Sequence, residues 1–204
     1  MGLFQKAERA NVKLRMLIQA ASGGGKSLTA LYIAQALSEL EGKPIAFIDT
    51  EHDASLFYAD EVPHDHVNIT RDYHPDKFIA ALKEAEKAGY GVAIIDNLSA
   101  EWSGVPNGVS DLADQFGKKP GMNDFTKWKI PKKMHAALWE EIKSSNMHVI
   151  CTYWMKPARV MDKDSNTGRT VIRDIGLQID GDEQLAKFFD LRVEMDQEHS
   201  LRII

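Results

Sequence analysis

The sequence predicts an α/β fold: a mostly parallel central sheet flanked by helices, with antiparallel strands toward its C-terminal end. Three observations carry this expectation. Apolar runs of strand length alternate with one-sided helical patterns through most of the chain, as right-handed βαβ crossovers require. The run Ala20 to Ser27, AASGGGKS, joins a strand to a helix through glycines. The last stretch returns to short alternating segments separated by turn residues.

The elements follow in order. Val12 to Ala20 alternates and then becomes continuously apolar, as a strand does on entering a sheet covered on both faces. From Leu28 a helix is expected, with Ala30, Ile33, Ala34, Leu37 and Leu40 on one face and Gly42 and Pro44 as its stop. PIAFIDT is a second buried strand, and the polar stretch after it, to about His74, has no assigned element. Pro75 opens a second helix bearing Phe78, Ala81, Leu82, Ala85 and Ala88, with Gly89 just past its end. GVAIIDN is the third strand. Ser103 to Phe125, rich in Gly, Pro, Asn, Asp and Lys, reads as a long functional loop. A helix then runs from Phe125 or Ile130 to Ser145, with Met134, Leu138 and Ile142 inward and Pro131 at its first turn or at a kink. MHVICTYW is the fourth strand. A hairpin around DKDSNTG spans Ala158 to Arg173, and strands at Asp190 to Met195 and Ser200 to Ile204 are joined at Asp196 to His199.

The bulk numbers suit one domain over residues 1–204: 44% of the residues are hydrophobic, enough for a buried core. Cys151, the single cysteine, lies in an apolar run, so a disulfide framework is excluded and a reducing, cytoplasmic setting is expected. No apolar stretch is long enough to span a membrane, and the first residues lack the apolar region of a signal peptide. A net charge of -5 argues against coating nucleic acid with the whole surface, while leaving room for a local basic patch.

The chemistry starts at AASGGGKS. In G-x-x-x-x-G-K-[ST], glycines let backbone N–H groups curl around a phosphate, the lysine reaches its oxygens, and the hydroxyl holds Mg²⁺. Gly25, Lys26 and Ser27 match, whereas Ala20 replaces the first glycine. Ser22, Gly23, Gly24, Gly25, Lys26, Ser27 and Leu28 are therefore the expected nucleotide-binding residues, at the start of a helix whose dipole favours anions. Asp96 ends the strand VAIID, where a second Mg²⁺ ligand is expected. Glu51 lies just past the second strand, at the same sheet edge, placed to orient and deprotonate an attacking water.

The runs IAFIDTEHDASLFYA and VAIIDNLSA, after this loop, resemble the ATPase core of RecA-type recombinases, and more closely the short RecA-like ATPases of bacteriophages. Some of those act as single-strand annealing proteins. The resemblance spans roughly Lys13 to Lys156. It implies ATP as nucleotide, Glu51 as the water-activating residue, Tyr58 near the adenine and Thr152 as sensor of the γ-phosphate. It also implies that the fourth strand lies between the phosphate-loop strand and the Asp96 strand, and that a phage-encoded chain would work in the host cytoplasm. The sequence passes almost directly into the first strand, so the polymerisation segment of longer members is not expected. Leu3 and Phe4 read as a frayed terminus rather than a docking element.

A nucleic-acid face is expected at Lys118, Lys119, Lys127, Lys129, Lys132 and Lys133, six lysines within sixteen residues that contain a single acid, Asp124, with Phe125 and Trp128 interleaved. Lysines neutralise phosphates while an aromatic ring stacks on a base. A second basic set, Lys156, Arg159, Lys163, Arg169 and Arg173, either touches DNA or reaches a neighbouring subunit's nucleotide. Single-stranded DNA is thus the expected partner, with a single-strand DNA-binding protein and a second copy of the chain as further candidates. The rival expectation is a nucleotide-switched protein that binds a protein partner instead of DNA, suggested by the net negative charge.

Overall fold

The structure, a computed structural model, describes residues 12–163, 170–182 and 187–204. Strands β1 (Arg15–Ala20), β2 (Ile45–Asp49), β3 (Asp65–Asn68), β4 (Val92–Asp96), β5 (His148–Lys163), β7 (Leu191–Met195) and β8 (Leu201–Ile203) lie in the order β3-β2-β4-β5-β1-β7-β8, and β6 (Thr170–Ile179) pairs with β5. All neighbours from β3 to β7 are parallel, and the pairs β5/β6 and β7/β8 are antiparallel. The expected α/β class is therefore observed. So is the insertion of β5 between β1 and β4.

The central strands read as continuous apolar runs because both of their faces are covered. Met16, Ile18, Ile45, Phe47, Val92, Ile94 and Ile150 face α1 (Lys26–Glu41), packing on Ala30, Leu31 and Ala34. The alternate residues Leu17, Ala46, Ile48, Ala93, Ile95, Val149 and Cys151 face α2 (Pro75–Ala88) and α5 (Lys129–Ser144), meeting Phe78, Leu82, Leu138 and Ile142. Cys151 is fully buried in this layer, and desolvation raises its thiol pKa. Leu40, expected on the inner face of α1, is instead 79% exposed in its last turn. Gly42 and Gly89 end α1 and α2 in the left-handed region, as placed from the sequence.

Two expectations change. The stretch Ser103 to Phe125 is not a long loop: α3 (Ser99–Ser103) and α4 (Val109–Gly117) fill much of it, burying Val109, Leu112 and Ala113. Gly104 and Gly108 interrupted the apolar pattern, yet they let the two short helices pack closely: a Cβ on Gly108 would lie 2.5 Å from the Gly104 carbonyl oxygen. The unassigned stretch holds a one-turn 3₁₀ helix (Ala54–Tyr58) and the edge strand β3, whose exposed side chains carry no apolar signature. Pro131 sits within the first turn of α5, where a missing N–H leaves no hydrogen bond unmade. The β5/β6 hairpin extends further than expected, from Met155 to Ile179. Most of the DKDSNTG stretch, around which the hairpin is expected, lies outside the described residues, as do Leu3 and Phe4.

Candidate functional site

Parallel pairing brings the carboxyl ends of β1, β2, β4 and β5 to one edge, and the chemistry-bearing residues collect there. The chain leaves β1 at Ala20, turns through Ser22 to Gly25, and enters α1 at Lys26. Gly23 and Gly25 have φ of 81° and 83°, the left-handed region in which a side chain is strained. Gly24 is required for space, since a Cβ there would lie 2.8 Å from the Ala20 Cβ. Ala20 stands where the motif has glycine, and its methyl group has room because Gly24 carries no Cβ to meet it. Ser27 and Leu28 follow in the first helical turn, both half-buried.

Lys26 is 6% exposed, and its ammonium donates to the Ala21 carbonyl at 3.0 Å. Burial lowers its pKa, opposed by the negative fields of Asp96 and Glu51. Asp96, 1% exposed, accepts hydrogen bonds from the Ser27 and Thr152 hydroxyls. Desolvation dominates there and pushes its carboxyl up to about 6, with Glu51 adding in the same direction. Thr152, fully buried on β5, therefore has its hydroxyl directed at the Asp96 carboxylate.

Asp49, passed over in the sequence as a strand end, builds the next turn. Its carboxylate accepts from the Glu51 N–H at 2.7 Å and from the Ser55 N–H at 3.0 Å, folding the chain into the 3₁₀ helix. Thr50 ties this turn to β4: its N–H donates to the Asp96 carbonyl at 2.7 Å, and its hydroxyl accepts from the Asn97 N–H at 2.7 Å. Glu51 is held beside Asn97, whose Nδ2 donates to Oε1 of its carboxylate. Asn97 Oδ1 is buried without a partner. A buried acceptor left unpaired costs about 1–3 kcal/mol. Tyr58 is half-buried and packs against the α1-side core.

A contribution from the far end of the chain also went unseen in the sequence. The β7/β8 turn lies against the phosphate loop: Gln197 Nε2 donates to the Ser22 carbonyl at 3.3 Å, and a Cβ on Gly25 would lie 3.0 Å from His199 Nδ1. Asp196 Oδ1 shapes that turn by accepting from the N–H groups of Glu198 and Ser200, at 3.0 and 2.8 Å.

The family model of the AAA domain matches residues 12–202, almost the whole chain. The protein belongs to the AAA domain family. Among curated proteins none matches it. An AAA domain is a nucleotide-binding ATPase domain of the P-loop NTPase fold, and the geometry of this one fits such a ligand. The Gly23 to Gly25 cradle has no room for a Cβ at Gly24, Lys26 holds a buried cation at its rim, and Ser27 with Asp96 offers the oxygen donors that Mg²⁺ prefers.

The basic set of this AAA domain divides into two. Lys129, Lys132 and Lys133 are exposed on the first turns of α5, beside Phe125, which is 91% exposed, and the half-buried Trp128. The Lys127 and Lys132 ammonium groups lie 6.0 and 5.9 Å from the Trp128 ring centre, and a shallow groove of about 440 Å³ runs between Asp124, Phe125, Trp128, Lys129 and Lys132. Lys127 is partly neutralised by Asp114 at 3.1 Å and Asp124 at 3.5 Å. Lys118 is exposed at the end of α4, and the next residue, Lys119, lies over the Phe116 ring at 4.0 Å. Arg159 stands apart, on the β5/β6 arm, facing Asp174 at 4.0 Å, and Lys156 on the same arm pairs with Asp180 at 2.7 Å. Arg169 and the side chain of Arg173 lie outside the described residues.

Trp128 is also the outer end of a buried aromatic path. It stacks on Trp102 of α3 (5.9 Å), which meets His135 edge-on (5.1 Å), and His135 meets Trp139 (5.4 Å). His135 Nδ1 lies 2.9 Å from the fully buried Glu101 carboxylate, while its Nε2 accepts from the Trp139 indole N–H at 2.8 Å. Nδ1 therefore carries the proton that faces Glu101. Burial raises the Glu101 pKa, and the hydrogen bond from His135 opposes it.

Proposed function

We propose that this chain is a Mg²⁺-dependent ATPase of the RecA-like kind that acts on single-stranded DNA in annealing or recombination, in the manner of the short phage-encoded members it resembles. In this reading Lys26 and the amides of Ser22 to Leu28 hold the phosphates, Ser27 and Asp96 hold Mg²⁺, Glu51 takes a proton from the attacking water, and Thr152 relays the state of the γ-phosphate through Asp96. Mg²⁺, when bound, supplies the positive charge that offsets the phosphates. Tyr58 is kept on the adenine side.

The observation that carries the DNA reading is the pairing of aromatic surface with cations at the head of α5: Phe125 almost fully exposed, Trp128 accessible, and Lys129, Lys132 and Lys133 around them. Such a surface recognises stacked bases and a phosphate backbone together. Its place also supports the reading, because Trp102, on which Trp128 stacks, belongs to the short helix that follows Asp96 and Asn97. Arg159, on the arm beyond β5, is a secondary candidate contact, and a second copy or a single-strand DNA-binding protein are candidate partners.

The test is ATP hydrolysis with and without a poly-dT oligonucleotide at two salt concentrations. Stimulation that fades with salt is the expected result. Single-strand affinity should fall with a slope of about 0.7 in log K per neutralised phosphate. Turnover indifferent to DNA at both salt concentrations would reject the DNA reading in favour of a nucleotide-switched protein with a protein partner.

A further inference from the structure

We infer that Asn97 is a positioning residue for hydrolysis: its Nδ2 group fixes the Glu51 carboxylate, and its Oδ1 atom is the second acceptor for the water that Glu51 activates. The inference rests on the ATPase reading and adds a residue to it.

The orientation of the amide follows from chemistry. An ionised carboxylate only accepts hydrogen bonds, so the atom of the Asn97 amide that meets Glu51 must be the nitrogen. The main chain leaves the residue little freedom: its N–H donates to the Thr50 hydroxyl at 2.7 Å, its carbonyl accepts from that hydroxyl at 3.0 Å, and it is 1% exposed. Oδ1 is consequently a buried acceptor with no donor. It is one of six unpaired buried side-chain atoms among the described residues, and the one whose residue bonds Glu51.

Oδ1 and Nδ2 share one carbon, so the unpaired acceptor lies beside the carboxylate that Nδ2 holds. Two adjacent acceptors match a molecule with two donors. A water giving one O–H to Glu51 and the other to Asn97 Oδ1 is fixed in orientation, with a lone pair left to attack. In the step itself, the water oxygen bonds to the γ-phosphorus while the bond from that phosphorus to the bridging oxygen breaks. That bond's electron pair leaves with the nucleoside diphosphate, and the water proton passes to Glu51.

The experiment compares Asn97→Ala and Asn97→Asp, each alone and combined with Glu51→Ala, in full-length protein. It reads kcat and KM for Mg-ATP, the affinity for a fluorescent ATP analogue, and the melting temperature. The expected result for either single variant is a fall in kcat on the order of 100-fold, with analogue affinity unchanged. In the Glu51→Ala background, Asn97→Ala should have no further effect, because groups that act as a unit are not additive. If the alanine variant unfolds, the near-isosteric Asn97→Asp carries the same comparison, placing an acceptor where Glu51 needs a donor. The inference is overturned if the folded variant turns over at the parent rate, if it loses analogue affinity in step with kcat, or if its loss adds to that of Glu51→Ala. A parent protein that binds the analogue but does not hydrolyse ATP overturns the ATPase reading first, and this inference with it.

Discussion

Replacing Asp96 by Asn tests the electrostatics of the site through stability alone. The carboxyl group titrates near 3.8 in an unfolded chain and about 6 in the folded protein. The folded state therefore holds its proton over a pH range in which the unfolded state has lost it. Stability from this group is fully present below about pH 3.8 and is lost as pH rises through about 6. The difference of roughly two units corresponds to about 3 kcal/mol at 1.36 kcal/mol per unit. Asn is neutral at every pH and close to the protonated acid in shape, and its amide can still bond the hydroxyls of Ser27 and Thr152. The variant should accordingly be more stable than the parent by about 3 kcal/mol near pH 8, and near parity around pH 4. Urea denaturation of both proteins without nucleotide or Mg²⁺, at those two pH values, measures the difference directly. With Asp96 as the proposed Mg²⁺ ligand, the same variant should also lose any stabilisation that Mg-ATP gives the parent. An Asn variant less stable than the parent near pH 8 would refute the reasoning, since it would mean that the Asp96 charge is well compensated in the fold.

Three further outcomes follow from the geometry. Glu51→Gln should retain nucleotide affinity while kcat drops by about 10²- to 10⁴-fold, whereas Lys26→Ala should lose both; a Glu51→Gln protein hydrolysing ATP at the parent rate would remove Glu51 from its role. Trp128→Ala should weaken binding of an oligo-dT by about 1–3 kcal/mol in a fluorescence titration, with no change in ATP analogue affinity. Glu101→Ala should destabilise the fold by about 1–3 kcal/mol in urea denaturation, because it leaves the His135 Nδ1–H buried on α5 without its acceptor.

What the sequence made legible were the features whose cause is local. The phosphate loop declares itself through consecutive residues whose backbone angles and hydroxyl are needed together, and β1, β2, β4 and β5 through apolar runs dictated by cover on both faces. The ends of α1 and α2 were equally plain, because a glycine in the left-handed region is a local requirement. Helices α3 and α4 were hidden for the opposite reason. They are short and separated by Gly, Pro and Asn, so the one-sided stripe of Val109, Leu112 and Ala113 covers too few residues to stand out, and α4 finds its cover on α5. The Gln197 contact to Ser22 joins residues 175 positions apart, and the Glu101–His135 pair joins residues 34 apart, so neither leaves a trace in any short window.

The hidden parts bear most on how the site could answer to a ligand. Asn97, which holds Glu51, ends two residues before α3 begins, and α3 carries Trp102 against Trp128 at the cationic surface. Glu101 on the same helix accepts a buried hydrogen bond from His135 of α5, so α3 cannot shift without disturbing that contact and the first turns of α5. Trp128 and the Glu51 carboxylate are therefore linked through one short helix and a few side chains. Two-state behaviour of that helix, biased from both ends, is what DNA-stimulated turnover would require. Trp102→Ala separates the pieces: it removes the stack while leaving Asn97, Glu51 and the α5 lysines in place. Its expected signature is basal hydrolysis close to the parent's with stimulation by poly-dT lost, and retained stimulation would exclude this path.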